Sequence, residues 1–369
     1  MLIRLVIELL CLINVEGLIK SLGEERVKIN EPLSSHTTLR IGGPADYFYE
    51  ATNSGELIKA VRLARTFGVP VTVIGSGSNI LVSDLGIRGL VVRNKDGKIE
   101  IVDKKRNPKF LGKLLNQIRD GIYSEARWIG SHKGTMKYDF DDLNYDESKY
   151  PDVEVIIDSG VNLQMAMVQL LERGITGLQW YARIPGTLGG AVFNNIHGGS
   201  HVFSEIVSAV VVLTNQGDVV KIPAKSMKFE YDKSRIHRTG EIVLEVILNL
   251  KRGDAEKAKF VADEWRKRKS IQPVNSAGCT FKNISNEDRE VLGYPTTSVG
   301  YVIEHVLNMT GYKVGGAAIS VDHHNFIINK GKATAKDYFA LRNEIVKRAR
   351  ETVGVELADE IVYLGDFNY

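Results

Sequence analysis

Cysteine is scarce in this 369-residue chain, which contains only Cys11 and Cys279. Two cysteines this far apart cannot form a disulfide framework, and no CxxC pair or Cys/His cluster offers ligands for a structural zinc ion. We therefore expect no metal, and we expect the protein to work in the reducing environment of the cytoplasm.

An excess of charge is also missing, because 48 lysines and arginines stand against 45 aspartates and glutamates and leave a formal net charge of +3. Proteins that bind nucleic acid usually carry a strong positive field, which this near balance does not provide. The composition therefore gives no reason to expect nucleic acid as a partner.

One strongly apolar run covers Met1–Val15, but Arg4 interrupts it and no small-residue cleavage site follows, as a secretory signal would require. The run is also too short to cross a bilayer. We interpret residues 1–16 as an N-terminal extension, either an extra helix or an over-extended translation start. Membrane attachment is the less favoured alternative, and no membrane partner is expected.

The length of the chain and its 43% content of hydrophobic residues indicate two or three globular domains. Apolar residues follow helical spacing in some blocks and strand-like spacing in others, which indicates mixed α and β structure. The predicted helices are Glu56–Thr66, Leu163–Arg173 and Lys251–Lys269, and the predicted strands are Val71–Ile74, Val207–Leu213, Val219–Ile222 and Ile242–Leu250.

Two glycine-rich segments follow predicted elements. The first, Gly75–Asn79 (GSGSN), comes directly after a predicted strand, where glycine lets backbone N–H groups converge on a phosphate. It lacks the third glycine of a dinucleotide fingerprint and the lysine of a P-loop, so a plain tight turn is an equal alternative. The second, Ile184–Ala191 (IPGTLGGA), would look similar as a structural loop. Together, the two segments favour a phosphate-bearing cofactor.

The segment Ser276–Asn283 (SAGCTFKN) places Cys279 between a glycine and two polar side chains. A thiol with an unperturbed pKa near ~8.5 is mostly protonated at neutral pH, so it can give a proton to a developing carbanion. The alternative is that Cys279 is a small buried hydrophobic residue, as most free cysteines are.

These segments, in this order, resemble the UDP-N-acetylenolpyruvoylglucosamine reductase family, also named UDP-N-acetylmuramate dehydrogenase, over about residues 17–365. The resemblance also rests on TTLRIGGPA at 37–45, on Gln272-Pro273, and on Gly315-Gly316-Ala317 with Asn325-Phe326-Ile327. It implies a flavoenzyme that completes UDP-N-acetylmuramate for bacterial peptidoglycan. The chain is similar to the shorter subtype of the family, which lacks an extra tyrosine-bearing loop, and a monomer is expected.

The resemblance implies an α+β protein with an FAD-binding domain of the vanillyl-alcohol-oxidase type. That domain would consist of two subdomains, residues 17–95 and 96–250, followed by an α+β substrate domain at 251–369. Residues 96–152 are not covered by the resemblance. They contain a predicted helical run, Phe110–Tyr123, and an acid-rich stretch that fits no EF-hand loop, so we expect a solvated insertion without metal.

The implied reaction transfers hydride from NADPH to non-covalently bound FAD and then to UDP-N-acetylglucosamine enolpyruvate, which must also be protonated. Cys279 stands where the family places its serine or cysteine proton donor. Glu360 stands where the family has its second catalytic residue, and a surface carboxylate is the alternative for it.

The resemblance also implies residues that bind the cofactor and the substrate. The expected cofactor-binding residues are Arg40, Ile41, Gly75, Ser76, Gly77, Ser78, Asn79, Ile184, Pro185, Gly186, Thr187, Gly189, Gly190 and Asn195. The expected substrate-binding residues are Tyr231, Lys269, Gln272, Lys282 and Asn283.

The chain departs from the family at Asp232, where an arginine is expected to stabilise the intermediate. An aspartate would repel that intermediate, so either Lys233 or Arg235 supplies the charge, or another loop does. The family usually has glycine where this chain has Arg183. We therefore expect Arg183 to be a relocated catalytic charge, with an ordinary surface salt bridge as the alternative.

A second departure places His197 after the second glycine-rich segment. It could hydrogen-bond the cofactor or attach it covalently, but a structural histidine is the favoured interpretation. Two other functions remain open: a different FAD-dependent oxidoreductase on the same scaffold, and a non-catalytic protein that binds flavin or a nucleotide sugar.

Overall fold

The structure, a computed structural model, describes residues 14–102 and 141–368. Most of the apolar run Met1–Val15 and the predicted helix Phe110–Tyr123 lie outside the described residues. The first described element is helical over residues 14–22 (α1). Within these two ranges, no helix combines the length and the apolar character needed to cross a bilayer.

The first sheet has four strands in the order β1-β2-β5-β3, and β4 lies outside it. The strands are β1 (Val27–Pro32), β2 (Pro44–Ala51), β3 (Val71–Ile74), β4 (Ile80–Val82) and β5 (Ile87–Asn94). Helix α2 (Ser54–Thr66) packs on this sheet, with Leu57 and Val61 fully buried at helical spacing. Asn53 caps this helix by accepting a hydrogen bond from the Glu56 N–H.

The second sheet has six antiparallel strands in the order β12-β11-β13-β7-β6, with β8 paired to the end of β13. Strands β9 and β10 pair with each other in a separate short hairpin. The strands are β6 (Ile99–Val102), β7 (Asp152–Asp158), β8 (Ile175–Thr176), β9 (His197–Gly198), β10 (His201–Val202), β11 (Val207–Leu213), β12 (Val219–Pro223) and β13 (Ile242–Arg252).

Three helices belong to the same part of the chain as the second sheet. They are α3 (Leu163–Leu171), α4 (Leu188–Asn194) and α5 (Ala255–Arg268). The apolar side chains of α3 and α5 share one buried core with the strands, as Met167 and Trp265 illustrate. This sheet and its helices therefore form one packed layer structure.

The C-terminal part contains the sheet β14-β15-β16 and one long helix of 19 residues, α7 (Ala335–Val353). Helix α7 is fixed at its start by a capping box of Thr334 and Asp337, and it buries Tyr338 and Leu341. The elements are α6 (Asn286–Leu292), a turn at Val299–Tyr301 that continues as a π-helix at Val302–Val306, β14 (Lys313–Val314), β15 (Ala317–Ile319), β16 (Ile327–Asn329), α7 (Ala335–Val353) and β17 (Val362–Leu364).

The strands predicted at Val71–Ile74 and Val207–Leu213 are confirmed at those bounds. The helix predicted at Lys251–Lys269 begins later, because β13 continues to Arg252 and Asp254 then caps α5. Lys251 still lies in the sheet, opposite Asp152. The predicted domain boundary near residue 251 stays a prediction. Since α5 shares the core of the second sheet, its packing favours a boundary after Arg268.

The buried carboxyl groups of Asp96 and Asp158 contact each other through a hydrogen bond. Asp96 lies in the connection between β5 of the first sheet and β6 of the second, and Asp158 is the last residue of β7. The Ser54 hydroxyl donates to Asp96 over 2.5 Å, and the Lys98 N–H donates to Asp158 over 2.8 Å. Burial and the hydrogen bond with Asp96 raise the pKa of Asp158 to about 7. Because a free aspartate has a pKa near ~3.9, the folded protein binds more protons than the unfolded chain between these two values.

The free energy of unfolding should therefore fall as the pH rises from about 4 to 7. Asp158→Asn should flatten this slope and stabilise the protein at pH 8 by up to about 3 kcal/mol, because it removes the carboxylate that forms there. Urea unfolding at pH 5 and pH 8 measures this. The matched control is Asp152→Asn, an exposed position on the same strand, and equal slopes in all three proteins would contradict the prediction.

Candidate active site

A cleft of about 1660 Å³ is lined by both glycine-rich segments and by parts of the C-terminal region. All of the residues predicted for the site line this cleft except Ile41, Asn195 and Lys282. Cys279 and Glu360, which are 81 positions apart in the sequence, are both among the lining residues. The structure thus brings the three predicted catalytic residues into one cavity.

Two of the three exceptions serve the fold instead. Ile41 is buried in the C-terminal core. The side-chain amide of Asn195 donates to the Glu230 carbonyl over 3.0 Å and accepts from the Ser204 N–H over 2.9 Å. These contacts favour a structural role for both residues rather than the expected contact with a cofactor.

The first glycine-rich loop presents free hydrogen-bond donors to the cleft. Gly77 has φ 66°, and a Cβ there would lie 2.2 Å from the His36 carbonyl oxygen, so only glycine fits. Among the described residues, no backbone carbonyl accepts a hydrogen bond from the N–H groups of residues 75–79. The buried Ser76 hydroxyl also has no hydrogen-bond partner there. This loop therefore suits an anionic group such as a phosphate.

The second glycine-rich loop lies directly against the first. The Ser78 hydroxyl donates to the Pro185 carbonyl over 3.0 Å, and a Cβ on Gly75 would approach the Thr187 hydroxyl to 2.7 Å. Thr187 in turn caps α4 by accepting a hydrogen bond from the Gly190 N–H. The large cleft, the two touching loops and the unpaired donors together fit a flavin cofactor that carries phosphates.

Backbone pairing explains why Cys279 and Glu360 meet. Phe281 forms an antiparallel bridge with Asp359, and the Glu360 N–H donates to the Thr280 carbonyl over 3.0 Å. On its other side, Glu360 accepts a hydrogen bond at its carbonyl from the Asn79 side chain over 3.3 Å. Glu360 is thereby fixed between the first glycine-rich loop and the segment of Cys279.

The pKa values of both acidic groups are raised by their surroundings. Burial raises the pKa of the Cys279 thiol well above its ordinary value, and the charges of Glu360 and Asp232 raise it further. Burial also raises the pKa of Glu360 well above its ordinary value, again with help from Asp232, while Lys282 opposes the shift. Burial beside the cavity thus favours the protonated form of each group.

Arg183 and Lys269 bring positive charge to the same cleft. The Arg183 side chain donates through Nε to the Lys269 carbonyl over 2.8 Å, and the backbone N–H of Arg183 donates to the Gln164 side chain. Burial lowers the pKa of Lys269 to about 7, and the Arg183 charge lowers it too, whereas Cys279 acts against the shift. Within the described parts of the chain, Arg183 is in no ion pair with a carboxylate, which argues against an ordinary surface salt bridge.

Neither neighbour of Asp232 takes over the missing arginine charge. Arg235 is held by Glu241 at 2.8 Å, and Lys233 is exposed. Asp232 itself is buried between His197 and Lys282, with nitrogen–oxygen distances of 3.6 Å to each. Nothing in the sequence pointed to this three-residue cluster beyond the two separate departures at Asp232 and His197. The remaining predicted substrate residues, Tyr231, Gln272 and Asn283, line the cleft.

Comparisons with known families agree with this layout. The family model described as an FAD binding domain matches residues 45–107 and 135–223. The family model described as the C-terminal domain of UDP-N-acetylenolpyruvoylglucosamine reductase matches residues 270–364. These matches confirm the predicted α+β fold class, an FAD-binding domain of the vanillyl-alcohol-oxidase type followed by a separate C-terminal domain.

Individual relatives cover nearly the whole chain. UDP-N-acetylenolpyruvoylglucosamine reductase of Lachnoclostridium phytofermentans is 30% identical over 345 residues, 93% of this chain and 94% of that protein. The enzyme of Caldanaerobacter subterraneus subsp. tengcongensis is 31% identical over 357 residues, 96% and 99% of the two chains. The crystal structure of the reductase from Thermus caldophilus matches 92% of this chain and 98% of its own, with 26% identity and a TM-score of 0.63. The chain therefore belongs to the UDP-N-acetylenolpyruvoylglucosamine reductase family.

Proposed function

We propose that this protein reduces UDP-N-acetylglucosamine enolpyruvate to UDP-N-acetylmuramate in the synthesis of peptidoglycan precursors. Family membership supports the reaction class and FAD as the cofactor. The observation that carries the proposal is the shared cleft of Cys279 and Glu360, which both line it next to the glycine-rich loops and whose pKa values are both raised by burial. We further propose that the protein is a cytoplasmic monomer.

The described residues suit the cofactor in definite ways. The free N–H groups of residues 75–79 and the Ser76 hydroxyl would hold its phosphates. When bound and reduced by NADPH, FAD supplies a hydride to the methylene carbon of the enolpyruvyl ether. The neighbouring carbon then carries negative charge and must receive a proton.

In this proposal, Cys279 gives that proton, because its thiol lines the cleft and its raised pKa keeps it protonated until the carbanion forms. The electron pair of the S–H bond stays on sulfur as a thiolate. Lys269, whose charge favours the ionised thiol, would stabilise this thiolate. Hydride and proton together saturate the double bond, so the atoms and charges of the step balance.

Positive charge for the carboxylate and the developing enolate would come from Arg183, which directly precedes the second glycine-rich loop and is not neutralised by a described carboxylate. The protonated Glu360 would donate a hydrogen bond to the same oxygen atoms. Tyr231, Lys269, Gln272 and Asn283 would contact the rest of the substrate, since they line the cleft.

Stopped-flow absorbance of the FAD-loaded protein under anaerobic conditions tests the proposal. NADPH should bleach the flavin, and UDP-N-acetylglucosamine enolpyruvate should then restore its colour within the turnover time. A protein that is bleached but reoxidised only by other acceptors would be a different FAD-dependent oxidoreductase. A protein that binds flavin but is not bleached would be a non-catalytic binding protein.

A further inference from the structure

The cluster of Asp232, His197 and Lys282 is assembled from three separate elements. The Asp232 carboxylate lies 3.6 Å from the His197 Nδ1 through one oxygen and 3.6 Å from the Lys282 Nζ through the other. The Tyr231 ring lies against both partners, with its centre 5.5 Å from the centre of the His197 ring and 5.6 Å from the Lys282 Nζ. The Asp232 carboxylate, in a residue that is 8% exposed, is thus held by His197 on β9 and by Lys282 in the segment that follows Cys279.

The backbone holds Asp232 in this place against its local preference. Its φ is 51°, a value that residues other than glycine rarely adopt. Such a conformation costs about 1 kcal/mol or more. The turn is closed by two hydrogen bonds between the backbones of Glu230 and Lys233, and Ser234 ties it to the Phe193 carbonyl over 2.9 Å. Such strain persists where the surroundings enforce it, and it commonly marks a functional position.

We propose that Asp232 is a positioning residue for the protonation step, and that its negative charge, held by His197 and Lys282, keeps Cys279 and Glu360 in their protonated forms. The inference rests on the proposed function, because it assigns Asp232 to the supply of the proton. It also accounts for the missing arginine, since a positive charge at this position would act in the opposite direction on both acids.

Asp232 lines the same cleft as Cys279 and Glu360. The charges around the two acids agree with this assignment. After burial, the Asp232 charge is the largest influence that raises the pKa of Glu360, and it also raises the pKa of Cys279. Lys282 opposes it at Glu360, and Lys269 with the Asn325 hydrogen bond opposes it at Cys279. The titratable or charged groups that line the cleft are Arg40, Arg65, Arg183, His197, Tyr231, Asp232, Glu241, Lys269, Cys279, His323 and Glu360. Lys282, His237 and Tyr338 interact with members of this set from outside the lining.

The test measures the ionisation of Cys279 without substrate. In FAD-loaded protein with Cys11→Ser, the rate of alkylation by iodoacetamide is recorded across the alkaline pH range, since only the thiolate reacts. Asp232→Asn keeps the shape, and asparagine tolerates the positive φ, so the fold is retained. We expect the pH of half-maximal reactivity to fall by about one unit.

Glu230→Gln is the matched control, because Glu230 lies in the same turn but is exposed and paired with Arg238. An unchanged alkylation profile in Asp232→Asn, or an equal shift in Glu230→Gln, would overturn the inference. The alkaline limb of flavin reoxidation by substrate should move to lower pH in Asp232→Asn as well. If the parent protein is not reoxidised by this substrate, the proposed function fails, whereas the alkylation result still decides the role of Asp232.

Discussion

Cys279→Ala is expected to slow the reoxidation of reduced flavin by the enolpyruvyl substrate by about 10³-fold, while reduction of the flavin by NADPH keeps its rate. The reason is that the thiol is the protonated group in the cleft that the proposal assigns to the carbanion, and alanine offers no proton. Single-turnover stopped-flow measurements separate the two half-reactions and give both rates in one experiment.

Cys279→Ser is the informative companion to that variant. A hydroxyl occupies nearly the same position and carries a proton, but it is a weaker acid by several pKa units, so only part of the rate should return. Cys11→Ser should change neither half-reaction. Normal reoxidation in Cys279→Ala would refute the assignment of the proton donor, because the cleft would then be supplying the proton from another group.

Arg183→Ala is expected to keep FAD bound and to lower turnover by about 10²- to 10³-fold, the range typical for loss of one charge that stabilises a transition state. The side chain reaches the cleft through its contact with the Lys269 carbonyl, and no described carboxylate cancels its charge. Steady-state turnover with NADPH and the enolpyruvyl substrate, with flavin content measured by absorbance, checks both parts of the prediction.

Two further variants separate charge from backbone strain at this position. Arg183 has φ 66°, so Arg183→Gly removes the charge and relieves the strain, and it should be as slow as Arg183→Ala. Arg183→Lys retains a charge and should recover part of the rate. Arg173→Ala, at an exposed position after α3, is the control. Turnover near that of the parent in Arg183→Gly would rule out the relocated charge.

Local sequence patterns predicted the regular elements well because their causes are local. The strand Val71–Ile74 is a short apolar run between breakers, and the loop after it needs a positive φ at Gly77, which the sequence supplies. The start of α5 was placed too early, because the length of β13 depends on its pairing with Asp152 and Thr176, far away in the chain. Pairing with such distant residues cannot be predicted from the sequence near β13 alone.

In the candidate site too, some features could be predicted from the sequence and others depend on contacts between distant parts of the chain. The positions of Cys279 and Glu360 came from ordered motifs of the family rather than from any periodicity. By contrast, the ion cluster at Asp232 requires side chains separated by 35 and 50 positions to converge, and only the fold brings them together. Asn195 was expected at the cofactor because an amide stands there, and the fold shows that this amide also binds the Glu230 carbonyl and the Ser204 N–H.

The parallel pairing of β17 with β4 has a consequence for how this enzyme can be recombined with its relatives. Strand β17 lies at the end of the region matched by the C-terminal family model, whereas β4 lies within the FAD-binding match. A chimera that joins these two regions from different parents would leave each half of the pair facing a foreign partner. Successful grafts should therefore take residues 80–82 and the C-terminal region from the same parent. The unit that can be exchanged is then defined by this strand pair and not by the domain border.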